Sequence, residues 1–141
     1  MSVPFSKRNV GTLEVVKVAR NVDQLTTLLC SNEKFIRKRY RWRADKMCDL
    51  ADGIVMGISN ANHINIRKNL EPSQLKKNIQ DRNTELGRVY RMTYQLEELM
   101  EVAVGVNRSI VSNKENSHKF ENWIRQLTKL RSLLKGMVVK Q

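Results

Sequence analysis

The alternation of apolar and polar residues predicts four amphipathic helices. The longest lies at residues 73–110, where apolar side chains recur every three or four positions and no proline interrupts the run. Pro72 and Ser73 suit its first turn, because proline is compatible with the start of a helix and serine can satisfy exposed amide groups there. At about 1.5 Å per residue this helix would be on the order of 50 Å long, so it needs other helices beside it. Arg82 and Thr93 are polar breaks in its apolar stripe, and we expect any departure from a simple bundle to occur there first. The apolar members of the stripe are Leu75, Ile79, Leu86, Val89, Leu96, Met100, Ala103, Val106 and Ile110.

Three further helices follow from the same periodicity. The first begins at Thr12 and has an apolar stripe wide enough to contact two partners. The second carries Gly53 and Gly57, which cost stability in a helix interior and therefore indicate close packing against a neighbour. The fourth follows a polar turn at residues 112–117. The three apolar faces are Val15, Val18, Val22, Leu25 and Leu29; Ala44, Met47, Ala51, Ile54, Ile58 and Ala61; and Phe120, Trp123, Ile124, Leu127, Leu130, Leu134 and Met137.

Short connections at residues 31–43 and 63–71 separate these helices, and no segment shows the alternation of a β-strand. The pattern therefore predicts an all-α, up-down-up-down four-helix bundle in residues 12–141. Residues 1–11 show little periodicity and contain Pro4 and Gly11, so we expect an arm that becomes ordered against a neighbouring subunit.

The charge of the chain adds a first indication of function. Its 141 residues contain 26 Lys and Arg against 14 Asp and Glu, which gives a net charge of +12 and a pI of about 10.1. Such an excess attracts phosphates and other anions. Nucleic acid, an acidic protein partner and a merely solvated positive surface are all compatible with this composition.

Basic residues are densest in the connection between the first two helices, where they alternate with aromatic residues. Arginine pairs well with phosphate and aromatic rings stack on unpaired bases, so this composition suits nucleic acid. Its candidate binding residues are Arg37, Lys38, Arg39, Arg41 and Arg43.

A structural role for the same segment is the alternative. Its three aromatic residues could close the end of the bundle, and folding the second and third helices about a turn near Glu71 places Arg41 opposite Glu101 and Arg43 near Glu98. Part of the cluster would then be neutralised within the chain. The aromatic residues concerned are Phe35, Tyr40 and Trp42.

A second group of basic residues lies on the third and fourth helices. Folding the fourth helix back brings Arg131 near Thr93, and this region has fewer acidic residues to pair with. We therefore predict phosphate contacts there at Arg88, Arg91, Arg131 and Lys135.

Catalytic and metal-binding patterns are not apparent in the sequence. His63 and His118 belong to no metal-binding motif, and no phosphate-binding glycine loop or nucleophile motif is present. The acidic residues at 97–101 are typical of a solvated or ion-paired face. We therefore predict a non-enzymatic protein with no metal and no cofactor.

The two cysteines and the hydropathy of the chain bear on its location. Cys30 and Cys48 lie on separate apolar helical patterns, which favours two buried, reduced thiols, with a disulfide as the alternative. No segment has the roughly 20 apolar residues of a membrane span, and the N-terminus does not resemble a signal peptide. We expect a cytoplasmic protein that does not enter the membrane.

Several segments of the chain resemble one family. Residues 35–42 (Phe-Ile-Arg-Lys-Arg-Tyr-Arg-Trp), followed by a small-residue helix ending at 59–62 (Ser-Asn-Ala-Asn), are similar to accessory variability determinant (Avd) proteins of diversity-generating retroelements. Residues 86–92 (Leu-Gly-Arg-Val-Tyr-Arg-Met) and 133–137 (Leu-Leu-Lys-Gly-Met) extend the resemblance. Avd proteins belong with the ribosomal-RNA intervening-sequence proteins in a superfamily of four-helix bundles.

The resemblance implies a homopentameric, ring-like barrel of four-helix bundles with a strongly basic surface and a central channel. Such a protein binds RNA or DNA and the reverse transcriptase of the retroelement, and it supports mutagenic retrohoming. The alternative function is a helical bundle that docks an acidic protein and does not bind nucleic acid.

Overall fold

A computed structural model describes residues 10–106 and 114–140, and these form four α-helices and one short 3-10 turn. The helices are α1 (Val10–Ser31), α2 (Arg41–Asn62), α3 (Pro72–Val106) and α4 (Lys114–Met137), and the 3-10 turn is Lys38–Tyr40. The all-helical prediction is confirmed for this part of the chain, including the proline at the first position of α3.

The helices form an antiparallel bundle in which α1 contacts α2 and α4, and α3 closes the arrangement on the other side. Along the α1–α4 seam, Thr26 pairs with Trp123 whereas Glu14 pairs with Lys129, so residue numbers run in opposite directions. The predicted four-helix bundle is therefore confirmed, and α1 has the two partners that its wide stripe indicated.

Most of the predicted apolar stripes form the core. Side chains from all four helices are buried, and Trp123 is the bulkiest of those that are fully enclosed. The ends of the stripes are less buried: Leu75 and Ile79 are half-buried near the start of α3, and Leu25 is half-buried on α1. The core ends before the N-terminal turns of α3, because those turns extend past the end of α2.

Three predicted boundaries need correction. Helix α1 begins at Val10 rather than Thr12, and α2 begins at Arg41, so residues 41–43 of the predicted connection are helical. The predicted polar turn at 112–117 is wrong for residues 114–117, which form the first turn of α4. Glu115 lies in that turn, where a negative charge favours a helix start. Residues 1–9 of the predicted arm at 1–11 and the predicted end of α3 at Ile110 lie outside the described residues.

The two glycines of α2 lie where α2 and α3 approach most closely. A Cβ on Gly57 would stand 2.4 Å from Val89 Cγ2, and one on Gly53 would stand 2.6 Å from Met92 Cε. These contacts confirm the close packing that the glycines predicted. They also show which residues are level with one another: position 57 lies beside 89, and position 53 beside 92.

This alignment corrects the predicted register of α2 and α3. Folding about Glu71 placed each α2 residue roughly one helical turn too far towards the start of α3. The connection at residues 63–71 is no tight turn, because Asn78 Nδ2 donates a hydrogen bond to Asn65 O at 2.7 Å. The chain thus runs back beside the first turns of α3, which project beyond the end of α2.

Arg82 and Thr93 do not disturb the bundle. Both are buried, and Arg82 Nη1 donates to Met137 O at 2.6 Å, which satisfies a carbonyl at the end of α4. Burial lowers the pKa of Arg82. Thr93 Oγ1 donates to Tyr90 O at 2.6 Å. The expectation that the bundle would depart from regularity at these residues is wrong, because both polar groups have partners across or within α3.

Candidate nucleic-acid interface

The structure places the predicted binding residues in two separate regions. We call the first the basic corner, and it consists of Arg37, Lys38, Arg39, Arg41 and Arg43 at the end of the bundle where α1 leads into α2. We call the second the α3–α4 patch, and it consists of Arg88, Arg91, Arg131 and Lys135. At about 1.5 Å per residue, the level of Arg91 lies roughly 20 Å along the bundle axis from the start of α2.

The basic corner is held in place by two buried residues that precede it. Phe35 and Ile36 are buried, and their amides both donate to Asn32 O at 2.9 Å. Asn32 Oδ1 also accepts a hydrogen bond from the amide of Lys34 at 2.9 Å. A tight turn therefore fixes the chain just after α1, and the next residues, beginning with Arg37, lie on the surface because the apolar pair occupies the core side.

Arg37, Lys38 and Arg39 are exposed and have no partner within residues 10–106 and 114–140. None of these three side chains makes an ion pair or a hydrogen bond with any residue in the described part of the chain. Three adjacent cations without counter-charges repel one another, and an anion placed among them relieves that repulsion. This trio is the strongest candidate for phosphate contact.

Arg41 and Arg43 are engaged with the protein to different degrees. Arg41 Nη1 donates to Cys30 O at 2.7 Å, which satisfies a carbonyl in the last turn of α1, and its Nε lies 3.9 Å from Asp45 Oδ1. The Arg43 guanidinium lies over the rings of Tyr40 and Trp42, with its central carbon 5.5 and 4.9 Å from their centres. Arg43 Nη1 is buried without a hydrogen-bond partner among the described residues.

The predicted neutralisation of this corner by α3 is wrong. Within residues 10–106 and 114–140, no ion pair joins Arg41 or Arg43 to Glu98 or Glu101. The reason is the shifted register, which places Lys46 rather than Arg43 beside Glu98 and Leu99, in a groove between α2 and α3. The corner therefore keeps most of its positive charge.

The aromatic residues of the corner divide between the two predicted roles. Phe35 is buried and packs near Phe120, with ring centres 6.5 Å apart, so it does close the end of the bundle. Tyr40 is half-buried against the core. Trp42, by contrast, is 58% exposed. Sequence reasoning could not separate them, because three aromatic residues in an irregular segment have no period that would identify an inner face.

Arg131, at the centre of the α3–α4 patch, is engaged on all sides. Its guanidinium donates to both carboxylate oxygens of Glu97 at 3.2 and 3.3 Å, and to Thr93 Oγ1 at 3.0 Å and Thr93 O at 3.1 Å. It also lies over the ring of Tyr94, 3.9 Å from the ring centre, and its side chain is only 11% exposed. Arg131 lies beside Thr93, as folding α4 back predicted, but the prediction that this region has fewer internal partners is wrong at Arg131, because Glu97 lies one turn beyond Thr93 on the facing side of α3.

The other members of the patch differ in their freedom. Arg88 Nη2 donates to Glu85 Oε1, and this hydrogen bond raises the pKa of Arg88. Lys135 is exposed, with its Nζ 5.6 Å from the centre of the Tyr90 ring. Arg91 is exposed and has neither an ion pair nor a side-chain hydrogen bond in the part of the chain that the structure describes. Among the described residues of this patch, Arg91 and Lys135 are therefore more readily available to a partner than Arg88 and Arg131.

Carboxylates lie together on the opposite seam, between α1 and α2. Burial and the neighbouring Asp52 carboxylate raise the pKa of Asp23 to about 6, and Asp23 Oδ1 has no hydrogen-bond partner among the described residues. Cys30 and Cys48 are near each other along this seam, and both are free thiols, as predicted; Cys30 is buried, but Cys48 is only half-buried, so the prediction of two buried thiols is wrong at Cys48. Burial raises the pKa of both thiols. Their thiolate forms are therefore scarce at neutral pH.

Grooves lie between neighbouring helices in the part of the chain that the structure describes. The groove between α2 and α3 has a volume of about 590 Å³, opens widely to solvent, and is lined by Lys46, Asp49, Leu50, Gln95, Glu98 and Leu99. A smaller one of about 240 Å³ lies between α1 and α4 and is lined mainly by amide and leucine side chains. Across residues 10–106 and 114–140, no three His, Cys, Asp or Glu side chains are grouped so as to hold a metal ion.

The described helices also bear on membrane association. None of them combines the length and the apolar composition that crossing a membrane requires.

Comparison with known proteins gives no relative for this chain. Neither protein-family models, nor curated protein sequences, nor solved structures yield a match.

Proposed function

We propose that this chain is a non-enzymatic nucleic-acid-binding accessory protein. The observation that supports this function best is the exposed trio of Arg37, Lys38 and Arg39, which has no counter-charge in the described part of the chain and is fixed by the buried pair before it. Phosphates supply the missing counter-charge, and arginine binds them with paired donors. Arg91 and Lys135 add a second, weaker contact region further along the bundle.

The more specific role comes from the resemblance of residues 35–42, 86–92 and 133–137 to Avd proteins. On that basis, the chain acts in the cytoplasm with the reverse transcriptase of a diversity-generating retroelement and supports mutagenic retrohoming. The structure supports the role to the extent that residues 37–39 are presented on the surface of a four-helix bundle. Arg131 acts there as a structural residue, because its donors are already occupied.

A homopentameric ring is part of the same proposal. Large apolar side chains outside the core support self-association, notably Leu28 at 66% exposure on α1 and Met56 at 59% on α2. Sedimentation equilibrium should give five times the 16.4 kDa subunit mass at micromolar concentration. A monomer mass would exclude the ring.

Binding to an RNA strand, a DNA strand and an RNA–DNA hybrid at several salt concentrations tests the binding function. Replacing Arg37, Lys38 and Arg39 by glutamine should lower affinity at least about tenfold at 0.1 M salt and reduce the slope of log K against log salt by roughly 2. The matched control replaces three exposed cations elsewhere, Lys17, Arg20 and Arg125, and so has the same net charge.

Equal losses in the two triple variants would show that only net charge matters and would exclude the basic corner as the binding site. If no nucleic acid binds even at low salt, and the protein instead captures one acidic protein through the same trio, the alternative function is the correct one. Capture of the retroelement's purified reverse transcriptase tests the accessory role separately, since it does not depend on nucleic-acid affinity.

A further inference from the structure

The two tryptophans of the chain occupy opposite environments. Trp123 is fully buried on α4, and its Nε1 donates to Thr26 Oγ1 at 2.8 Å. Trp42 lies in the first turn of α2 and is 58% exposed. Burying a tryptophan is strongly favourable, so one that remains this exposed beside a well-formed core offers a large apolar surface to a partner.

Trp42 is also held in position. The Arg43 guanidinium lies 4.9 Å from the centre of its ring, and the same guanidinium lies 5.5 Å from the centre of the half-buried Tyr40 ring. Arg43 thus connects Trp42 to a residue that packs against the core. A ring ordered in this way loses less conformational entropy when a ligand stacks on it.

Charge around Trp42 is unevenly distributed. The exposed trio of Arg37, Lys38 and Arg39 precedes it in the chain. One turn further along α2, Lys46 begins the groove that also contains Asp49 and Glu98. A phosphate chain is therefore attracted more strongly on the side of the trio than on the side of the groove, where Asp49 and Glu98 offset the charge of Lys46. Because residues 37–39 come only a few positions before Trp42, a nucleotide whose phosphate contacts the trio can bring its base to Trp42.

Resting on the proposed function, we propose that Trp42 is a stacking platform for an unpaired base, so that the basic corner selects single-stranded nucleic acid over duplex. A base within a duplex already has both faces covered by its neighbours, whereas a single-stranded base is free to stack on an aromatic ring. Stacking does not depend on hydrogen bonds to the base edge, so the site tolerates any sequence.

Tryptophan fluorescence gives a direct test because Trp123 is buried. The probes are a mixed-sequence DNA strand of about twelve nucleotides and the blunt duplex formed with its complement. The single strand should quench the exposed tryptophan, and Trp42→Leu should abolish this quenching. The same substitution should weaken single-strand binding roughly tenfold and change duplex binding less than about twofold. Trp42→Phe should keep part of the preference, since a smaller aromatic face is retained.

The outcomes separate this inference from the function on which it rests. If strand and duplex bind equally and Trp42→Leu changes neither affinity, the stacking site is wrong while nucleic-acid binding stands. If neither probe binds at low salt, the proposed function fails, and the stacking site with it. If Trp42 emission shifts with protein concentration in the absence of DNA, the ring lies between copies of the chain and the proposal is overturned. Circular dichroism of each variant confirms that the bundle is intact.

Discussion

The basic corner and the α3–α4 patch have similar compositions but use their cations differently. In the patch, Arg131 is bound to Glu97 and Thr93, and Arg88 is bound to Glu85. In the corner, the exposed trio has no counter-charge among the described residues. An arginine whose donors are occupied stabilises the fold, whereas one without partners is available to a ligand. The number of basic residues therefore does not identify a binding surface, and their internal partners must also be known.

The largest expected effect on stability is at Arg131. Arg131→Met should lower the free energy of unfolding by about 3 kcal/mol, because it leaves the partly buried Glu97 carboxylate and Thr93 without their partner. Urea unfolding followed by circular dichroism measures this change, provided that the m-value is unaltered.

Arg91→Met is the matched control on the same face, since Arg91 is exposed. It should change stability by less than about 0.5 kcal/mol. A loss at Arg131 no greater than this would mean that its contacts contribute little, and Arg131 would again be a candidate for phosphate contact.

The second effect is a loss of stability when a side chain is added at Gly57, where α2 approaches α3 beside the Arg88–Glu85 pair. Gly57→Ala should destabilise the protein by about 2 kcal/mol, because its Cβ would meet the fully buried, β-branched Val89 and would crowd Arg88 Nη2 at 3.1 Å. This loss exceeds the gain of roughly 1 kcal/mol in helix propensity. Thermal and urea unfolding both measure the difference.

Gly53→Ala is the control for that substitution. Its Cβ would meet only the terminal methyl of Met92, a flexible side chain that can move aside. We expect no loss of stability, and up to about 1 kcal/mol of gain from helix propensity. Equal destabilisation by the two alanines would show that the whole seam, and not Val89 alone, resists a side chain.

The third effect is a pH dependence of the free energy of unfolding, caused by Asp23 on the α1–α2 seam. Two carboxylates, Asp23 and Asp52, lie close together on this seam, whereas the α3–α4 patch contains ion pairs. Because the pKa of Asp23 is raised to about 6, the folded protein holds a proton that the unfolded chain releases near pH 4. The proton on Asp23 therefore stabilises the folded protein fully below about pH 4, and this stabilisation is lost as the pH rises through about 6. Partial exposure limits this loss to about 1 kcal/mol.

Asp23→Asn should therefore make the protein more stable than the parent at pH 7 while leaving it similar at pH 4. Asp45→Asn, at an exposed carboxylate paired with Arg41, should preserve the pH dependence of the parent. Unfolding measured at intervals between pH 4 and pH 7 distinguishes the two. Parallel curves for parent and Asp23→Asn would contradict the assignment to Asp23.

The fold was largely predictable because each helix repeats its apolar positions every three or four residues. Val22, Ile58, Leu96 and Leu127 were all placed in the core by this repeat, and all are buried. Thr26 was missed, since a threonine on an apolar face gives no sign that a tryptophan on another helix needs an acceptor.

The candidate site was less predictable because it depends on the register between helices. Periodicity defines which face of α3 is buried, but the axial position of α3 depends on the path of residues 63–71, which has no repeat. The predicted register was wrong by about one turn, so the sequence placed Glu98 beside Arg43, whereas in the structure Glu98 lies beside Lys46. The bond between Arg131 and Glu97 depends in the same way on the axial position of α4.

The smallest expected change in stability is at the corner itself. Arg39→Met removes an exposed cation that has no ion pair or side-chain hydrogen bond to the residues that the structure describes, so none is lost there. The chain carries a net charge of +12, and removing one unit relieves some repulsion among the neighbouring cations. We therefore expect the free energy of unfolding to stay the same or to rise by less than about 0.5 kcal/mol, with the rise disappearing at high salt.

Arg41→Met is the control within the corner, because it also removes the hydrogen bond to Cys30 O. It should lower stability by about 1 kcal/mol at any salt concentration. A clear loss for Arg39→Met would mean that the trio supports the fold, and the contrast between corner and patch would then be wrong.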